Sequence, residues 1–310
     1  MVMERTVLLF CHAAGLSKTA WNPIIRRVAA SPLLERHPCE FVAFDWRYHG
    51  TKSDYKDLGT ILFRNGDKNM PEVEHETKYW TSWAPEELYD HIQDLRADDK
   101  ALSRKTRIIG IGHSMGGTSL IKLESTRSGL LDGIIVFDPV CNAMAMTPDP
   151  FLFSSKMVAN TLKRQEKWNS WDEVREHFHT FKGYSRWDKE STDAFLEGGV
   201  IPSENGTYRL ACAPPQEAAI YCHNMLHFTE DDHRKLGCKV IYEHAELSKL
   251  FNAQVLSEIA TALPDKVVVS PAVEKVTHMM TMEDPAVCAE RIIQNLPKFP
   301  VFQGKAASKL

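Results

Sequence analysis

The sequence predicts an α/β fold, in which helices cover both faces of a mostly parallel sheet. Short apolar runs alternate with longer stretches of helical periodicity, as in repeated strand–helix units. The runs are apolar almost throughout, which is typical of strands buried on both faces. The predicted strands are Val7–Phe10, Phe41–Phe44, Arg107–Ile111, Gly133–Phe137, Lys239–Tyr242 and Lys266–Val269. The predicted helices are Trp21–Ala30, Pro85–Ala101, Gly117–Thr126, Leu247–Leu263 and Pro285–Leu296.

Two stretches interrupt this alternation. Residues 51–83 are polar and contain turn signals, so we expect an extended excursion after the second strand. Residues 141–236 lack a strand–helix unit but contain apolar, aromatic-bearing helical segments. We interpret residues 141–236 as a helical cap inserted into a core made of residues 1–140 and 237–300. Residues 301–310 are predicted to form a flexible tail.

The third predicted strand runs into Gly112-His113-Ser114-Met115-Gly116, and a helix is predicted directly after it. This G-x-S-x-G motif, between a strand and a helix, presents a serine hydroxyl on a tight turn above the sheet edge. Gly112 and Gly116 lack the Cβ atoms that would clash in such a turn. We therefore predict that Ser114 is a catalytic nucleophile. Its elbow consists of Gly112, His113 and Gly116.

A serine nucleophile needs a base, because a free hydroxyl is barely nucleophilic at neutral pH. In proteins with this motif the catalytic residues follow the chain order serine, acid, histidine. His278 follows the last predicted strand, and Pro285 after it suits the first turn of the terminal helix. We therefore predict that His278 is the base.

Two positions are candidates for the acid. Asp138 follows the fourth predicted strand, one helix and one strand after the serine. Glu246 (or Glu243) follows the next strand, although a charge near the start of a helix is also ordinary there. We favour Asp138, because the segment after the later strand contains no aspartate, and keep Glu246 as the alternative.

The negative oxygen formed during acyl transfer needs two backbone donors. In this type of site one donor is the residue after the nucleophile and the other lies in the loop after the first strand. These positions are Met115 and, within the small-residue loop His12-Ala13-Ala14-Gly15, Ala14. We predict that Met115 and Ala14 form the oxyanion hole.

Composition and charge exclude several classes of function. The formal net charge of −4 provides no general basic field for nucleic acid. Seven scattered cysteines without a C-x-x-C pair argue against a disulfide framework and a structural zinc site. No apolar stretch approaches the roughly 18 residues of a membrane span. We expect no nucleic-acid partner, no stable membrane span, and no metal or other cofactor.

The sequence ends in Ser308-Lys309-Leu310, and a terminal S-K-L is a peroxisomal address. The preceding residues, 304–307, are small or basic and would keep the tripeptide exposed. We therefore expect a peroxisomal import receptor as a partner and the peroxisomal matrix as the location.

These features resemble the α/β-hydrolase superfamily from residue 5 to about residue 298. The loop at His12 matches the family's H-G-x pattern, with Ala13 in place of the glycine. The turn 45–50 partly keeps the D-x-R-G-x-G pattern, while the elbow and the ending from His278 to Pro285 match well. The chain starts near the family's third strand. The resemblance therefore implies a six-stranded core sheet that lacks the first two edge strands.

With its S-K-L ending, the chain is similar to fungal peroxisomal members of the superfamily. These include toxin-biosynthesis hydrolases of the AK-toxin type, the mycophenolate-pathway acyl-CoA hydrolase and the yeast peroxisomal lipase. In the acyl-CoA hydrolase the acid follows the strand after the elbow, and this resemblance favours Asp138.

The resemblance implies a serine hydrolase that cleaves an acyl ester or an acyl-CoA thioester through an acyl-enzyme. Its partner would be a small acyl substrate, in peroxisomal lipid or secondary (toxin) metabolism. A serine nucleophile excludes the aspartate chemistry of epoxide hydrolases and haloalkane dehalogenases, because a seryl ether would not turn over. The open alternatives are a lipase or carboxylesterase, a C–C bond hydrolase or acyltransferase acting on a polyketide, and a non-catalytic ligand-binding protein.

Overall fold

The computed structural model describes residues 3–142, 150–223 and 226–303. The strands of these ranges are β1 (Met3–Cys11), β2 (Glu40–Phe44), β3 (Thr60–Phe63), β4 (Pro71–Glu74), β5 (Arg104–His113), β6 (Gly133–Phe137), β7 (Lys167–Trp168), β8 (Val200–Pro202), β9 (Tyr208–Leu210), β10 (Val240–Glu243) and β11 (Val267–Val269). The α-helices are α1 (Asn22–Ala29), α2 (Pro32–Arg36), α3 (Trp80–Arg96), α4 (Met115–Thr126), α5 (Pro150–Leu162), α6 (Trp171–Thr180), α7 (Lys189–Gly199), α8 (Pro214–Ile220), α9 (Glu230–Lys235), α10 (Ala253–Ala262), α11 (Met280–Glu283), α12 (Pro285–Asn295) and α13 (Pro300–Gln303).

Six strands form the central sheet in the order β11-β10-β6-β5-β1-β2, and every neighbouring pair is parallel. The prediction of a six-stranded core sheet is therefore confirmed. Because all strands run the same way, their carboxyl ends meet at one edge of the sheet. In a sheet of this kind, that edge is where ligands bind.

Side chains of the central strands alternate between two apolar layers. Val7 and Leu9 of β1 pack into the layer that includes residues of α3 and α4. Leu8 and Phe10 pack into the opposite layer, which includes residues of α1 and α12. All four are fully buried. Burial of each such side chain contributes about 1.5–3 kcal/mol, so packing on both faces stabilises the sheet that carries the elbow.

Two helices start more than two residues away from their predicted positions. Helix α3 begins at Trp80 rather than Pro85, because Trp80, Trp83 and Ala84 are buried and extend its apolar face towards the N-terminus. Helix α10 begins at Ala253 rather than Leu247, since the side chain of Asn252 caps it. The residues from 247 to 252 instead form a loop beside the sheet edge.

The predicted excursion at 51–83 contains an antiparallel hairpin made of β3 and β4. The predicted cap contains α5 to α8 and also a small antiparallel sheet in the order β7-β9-β8. Helix α9 falls in the same predicted range but packs against α4 and α10 of the core. The inserted segment is therefore a mixture of helices and short strands.

The predicted flexible tail starts too early. Residues 301–303 belong to α13, where Phe302 is buried in the apolar layer of α1 and α12. Its ring lies 5.7 Å from that of His37, measured between centroids. Burial of this aromatic side chain anchors α13 to the core.

Candidate active site

The candidate site lies at the carboxyl edge of the central sheet. Strands β5 and β6 are adjacent, with His113 opposite Phe137, so Ser114 and Asp138 emerge side by side. Both have positive φ angles, 53° for Ser114 and 46° for Asp138. Non-glycine residues rarely adopt this conformation, and such strain is concentrated at functional sites.

Two glycines allow the tight turn around Ser114. A Cβ atom on Gly112 would lie 2.6 Å from the backbone nitrogen of Gly117. One on Gly116 would lie 2.2 Å from the carbonyl oxygen of Cys11. Any side chain at either position would therefore push the elbow away from its strand. This packing supports the expectation that glycines form the elbow.

His278 lies between the serine and the aspartate. Its Nε2 is 2.9 Å from Ser114 Oγ, and its Nδ1 is 2.6 Å from Asp138 Oδ2. An ionised carboxylate only accepts hydrogen bonds, so Nδ1 carries the proton and Nε2 presents a lone pair to the hydroxyl. The side chain of His278 is 21% exposed, which leaves the imidazole reachable. The structure thus brings the three predicted residues into one hydrogen-bonded chain.

Asp138 is fully buried, and its carboxylate is fixed by several donors. Burial by itself would raise the pKa of Asp138. The hydrogen bond and charge of His278, together with bonds from Ser248 and Ala245, instead hold that pKa below its usual value. Ala245 N donates to Oδ1 at 3.3 Å, and the Ser248 hydroxyl donates to Oδ2. Ser248 was not predicted from the sequence, because nothing local marks a loop hydroxyl as a partner of a distant aspartate.

The alternative acids have other partners. Glu246 is exposed, and its Oε2 accepts a hydrogen bond from the backbone nitrogen of Lys275 at 2.8 Å. Glu243 is buried and accepts hydrogen bonds from the Ser270 hydroxyl and from Asn295, the latter at 2.7 Å. Among the candidate acids, the geometry therefore favours Asp138 as the partner of His278.

His113 of the elbow contacts the loop that carries His278. Its Nε2 lies 2.7 Å from the carbonyl oxygen of His278, and its Nδ1 lies 3.0 Å from the Thr281 hydroxyl. Burial lowers the pKa of His113 to about 3, and the nearby His278 acts in the same direction. A neutral imidazole can donate from Nε2 and accept at Nδ1, as these two contacts require. His113 therefore links the elbow to the histidine loop.

The predicted oxyanion donors, Met115 and Ala14, lie in two segments that are close together in space. Gly116 packs against the carbonyl groups of Cys11 and His12, which places the start of α4 beside the loop after β1. Ala14 of that loop packs against the apolar layer that contains Met115. Met115 is the first residue of α4, so its N–H has no acceptor within the helix. This arrangement fits the predicted use of both amides.

The three residues predicted to form the targeting signal, Ser308, Lys309 and Leu310, lie outside the described residues. Within the described ranges, no group of three or more His, Cys, Asp or Glu side chains is arranged to hold a metal ion. In the same part of the chain, no helix is both long and apolar enough to cross a membrane.

Comparison with known proteins shows what the chain is similar to. The abhydrolase domain-containing protein AKT2 of Alternaria alternata is 27% identical over 120 residues. That match covers 37% of this chain and 44% of AKT2, so the chain matches less than half the length of this curated relative.

Two solved structures share the fold. The peroxisomal α/β-hydrolase Lpx1 of Saccharomyces cerevisiae has a TM-score of 0.72 at 16% identity, covering 99% of this chain and 80% of Lpx1. A thioesterase domain from the curacin biosynthetic pathway has a TM-score of 0.59 at 15% identity, covering 93% and 91% respectively. The model of the alpha/beta hydrolase family matches residues 8–291, and the chain therefore belongs to the alpha/beta hydrolase family.

Proposed function

We propose that this protein is a serine hydrolase that cleaves an acyl ester or an acyl-CoA thioester. One observation carries the proposal. His278 Nε2 lies 2.9 Å from Ser114 Oγ, while His278 Nδ1 donates a hydrogen bond to Asp138. This is the arrangement that activates a serine hydroxyl for attack on a carbonyl carbon. A thioesterase domain and an esterase are both among the structurally similar proteins, which is compatible with either leaving group.

Acylation begins when Ser114 Oγ attacks the substrate carbonyl and His278 Nε2 takes the hydroxyl proton. Asp138, held ionised by its donors, keeps the imidazole in the required tautomer and stabilises its cation. The amides of Met115 and Ala14 stabilise the oxyanion. Collapse of this intermediate breaks the bond to the alcohol or thiol, which leaves with the proton from His278.

Deacylation reverses these roles with water as the nucleophile. His278 removes a proton from water, and the resulting hydroxide attacks the acyl carbon. The second oxyanion then expels Ser114 Oγ, which recovers its proton from His278. The products are a carboxylic acid and the free enzyme, so atoms and charges balance without a cofactor.

A peroxisomal role is also proposed. It is supported by the Ser308-Lys309-Leu310 tripeptide and by the peroxisomal location given for the structurally similar Lpx1. Acyl-CoA thioesters would then be the natural candidates for substrates. A fluorescent protein fused to the N-terminus should colocalise with a peroxisomal marker, and removal of residues 308–310 should disperse it. Equal distribution of both fusions would contradict this part of the proposal.

A substrate panel tests the reaction. Purified protein should release thiol from acyl-CoAs or acid from p-nitrophenyl esters, and Ser114→Ala should abolish that release. Preference for triglycerides would favour the lipase alternative. Transfer of the acyl group to an added alcohol without acid release would favour an acyltransferase. No turnover of any acyl substrate by folded protein would contradict the hydrolase proposal.

A further inference from the structure

The loop that carries Ala14 forms a tight turn after β1. Leu16 N donates to Ala13 O at 3.3 Å, and Gly15 between them has a φ of +72°. A positive φ at the third of four residues is typical of a type II turn and favours glycine. Ala14 is the second residue of this turn, so one peptide group lies on each side of it. The direction of the proposed oxyanion donor therefore depends on what holds these two peptides.

His12 holds the first of the two peptides. Its Nδ1 lies 2.7 Å from Ala13 O, and Nδ1 carries the proton because a carbonyl oxygen only accepts. Its Nε2 accepts a hydrogen bond from Trp46 N at 3.2 Å. In a trans peptide the N–H points opposite to the C=O, so the bond to Ala13 O also fixes the direction of the Ala14 N–H. His12 thus binds the peptide that supplies the proposed donor.

His49 holds the second peptide. Its Nε2 accepts a hydrogen bond from Gly15 N at 3.0 Å, and its Nδ1 donates to Arg47 O at 2.8 Å. His49 therefore has the same tautomer as His12. Both side chains are buried, and their ring centroids lie 5.3 Å apart. The peptides before and after Ala14 are thus each bound by one of two adjacent imidazoles.

Both imidazoles are anchored to the turn at residues 45–50. This turn follows β2, which is the parallel neighbour of β1, so the two loops emerge side by side. The backbone partners of both rings belong to it. The Asp45 carboxylate fixes the turn, since Oδ1 accepts from Lys18 N at 2.8 Å and Oδ2 accepts from Thr51 N at 3.0 Å. The turn is therefore a firm support for the oxyanion loop.

These bonds require neutral imidazoles. A protonated ring has no acceptor nitrogen, so it would lose the bond from Trp46 N or the bond from Gly15 N. Burial lowers the pKa of His12 to about 3 and also lowers the pKa of His49. Among nearby charged groups, Lys52 also lowers the pKa of His12, and three carboxylates act against burial: Asp45, Glu87 and Glu217. Burial is the largest effect on both rings, which keeps them neutral at neutral pH.

We propose that His12 and His49 are positioning residues, which hold the peptides around Ala14 so that its N–H is aimed at the oxyanion. This inference rests on the proposed function, because it assigns a role in the same acyl transfer. The two side chains act through the loop backbone rather than on the substrate. Their bonds exist before the reaction, so the donor needs no reorganisation when negative charge develops.

Leucine variants test this role by kinetics. His12→Leu and His49→Leu keep a buried apolar side chain but lose both hydrogen bonds of the imidazole. On a p-nitrophenyl ester, kcat should fall about 10- to 100-fold in each variant, with KM within about twofold, because oxyanion donors act mainly in the transition state. A kcat within about threefold of the wild type in either variant, or a loss that lies only in KM, would overturn the proposal.

His233 provides a matched control. It is as buried as His12, its Nδ1 lies 2.8 Å from Thr229 O, and its Nε2 lies 2.7 Å from the Tyr242 hydroxyl. These partners lie outside the oxyanion loop. His233→Leu should lose stability as the other two variants do, because it also loses buried hydrogen bonds, yet kcat should stay within about threefold. A kcat as low as in the other variants would show that any buried histidine has this effect, and would overturn the proposal.

Two conservative variants separate hydrogen bonding from packing. His12→Asn keeps an amide donor near the position of Nδ1, and His49→Gln keeps an amide acceptor near that of Nε2. Each should have a kcat at least about threefold higher than the leucine variant at the same position, because one of the two bonds is restored. Equal rates of the amide and leucine variants at both positions would overturn the assignment of these bonds.

An NMR measurement on the wild type depends on no variant. An N–H···N hydrogen bond transmits a scalar coupling, so Gly15 N and His49 Nε2 should be coupled in isotope-labelled protein. An alkyl trifluoromethyl ketone, to which Ser114 Oγ adds to form a hemiketal oxyanion, should shift the Ala14 amide proton downfield while this coupling persists. A missing coupling, or an adduct without that shift, would overturn the role of the histidines. Failure of the ketone to form any adduct would instead contradict the proposed function, on which the inference rests.

Discussion

His113 Nε2 lies 2.7 Å from the carbonyl oxygen of His278, so the residue before the proposed nucleophile holds the backbone of the proposed base. The two residues are 165 positions apart in the chain. The bond ties the turn of the elbow to the loop after β11. The distance between Ser114 Oγ and the imidazole therefore depends on His113 as well as on the triad.

Replacing His113 should slow the chemical step. His113→Ala leaves the carbonyl of His278 and the Thr281 hydroxyl without this partner, so the histidine loop can move. We expect kcat to fall about 10- to 100-fold with little change in KM, since a small misplacement has effects of this size. His113→Gln keeps a side-chain N–H and should recover part of the rate. Equal activity of His113→Ala and the wild type would contradict this positioning role.

Two conservative substitutions test which carboxylate is the partner of His278. Asp138→Asn removes the acceptor that fixes the His278 tautomer and should lower kcat about 10³- to 10⁴-fold. Glu246→Gln changes an exposed carboxylate that bonds to Lys275 and should stay within about twofold of the wild type, as most surface changes do. Steady-state kinetics on one ester measures both. If only Glu246→Gln abolished turnover, the assignment of Asp138 would be wrong.

Mild acid should destabilise the fold, because buried histidines resist protonation. Burial lowers the pKa of His12 and of His113 to about 3, below the usual histidine value of 6.5. Between pH 3 and pH 6.5, the two imidazoles bind protons in the unfolded chain but not in the folded one. Stability is therefore full above pH 6.5 and falls as the pH decreases, by about 1.4 kcal/mol per unit for each histidine.

Urea unfolding at pH 7, 6 and 5 measures this effect. His113→Gln removes one of the two groups, so its loss of stability from pH 7 to 5 should be smaller by about 2 kcal/mol. Identical pH dependence in the variant and the wild type would show that His113 titrates normally in the folded state.

Two glycines with similar backbone angles provide another test. Gly15 has a φ of +72° and contacts Glu217, whereas Gly66 has a φ of +74° with no atom within 4 Å of an added Cβ. Alanine at Gly66 should cost only the left-handed strain, about 1–2 kcal/mol. Alanine at Gly15 should carry the same strain and should also displace the Glu217 carboxylate and the oxyanion loop. We expect it to lower kcat about tenfold, the scale of a small displacement in the site. Unfolding curves and steady-state rates of the two variants measure the contrast, and equal effects would argue against a critical contact between Gly15 and Glu217.

The sequence predicted the parts of the structure that are encoded locally. The apolar runs identified the six central strands because both faces of the sheet are buried, and the glycines around Ser114 identified the turn. The start of α3 was misplaced because Pro85 resembles a first-turn proline. It lies instead inside a helix whose beginning depends on burial of Trp80.

The contacts that complete the site were beyond prediction. Ser248 reaches Asp138 across 110 positions, and His49 reaches Gly15 across 34. Such pairs form only after the strands of the sheet have packed together. No local spacing or composition encodes them, so a single sequence gives no signal for them.

Labelling with a fluorophosphonate probe tests the central claim most directly. Mass spectrometry of digested protein should find one phosphonyl adduct per chain, on Ser114. Ser114→Ala should show none, and His278→Ala should react at least about 100-fold more slowly because the base is missing. Folded wild-type protein that forms no adduct, or forms it equally well without Ser114, would contradict the assignment of Ser114 as the nucleophile.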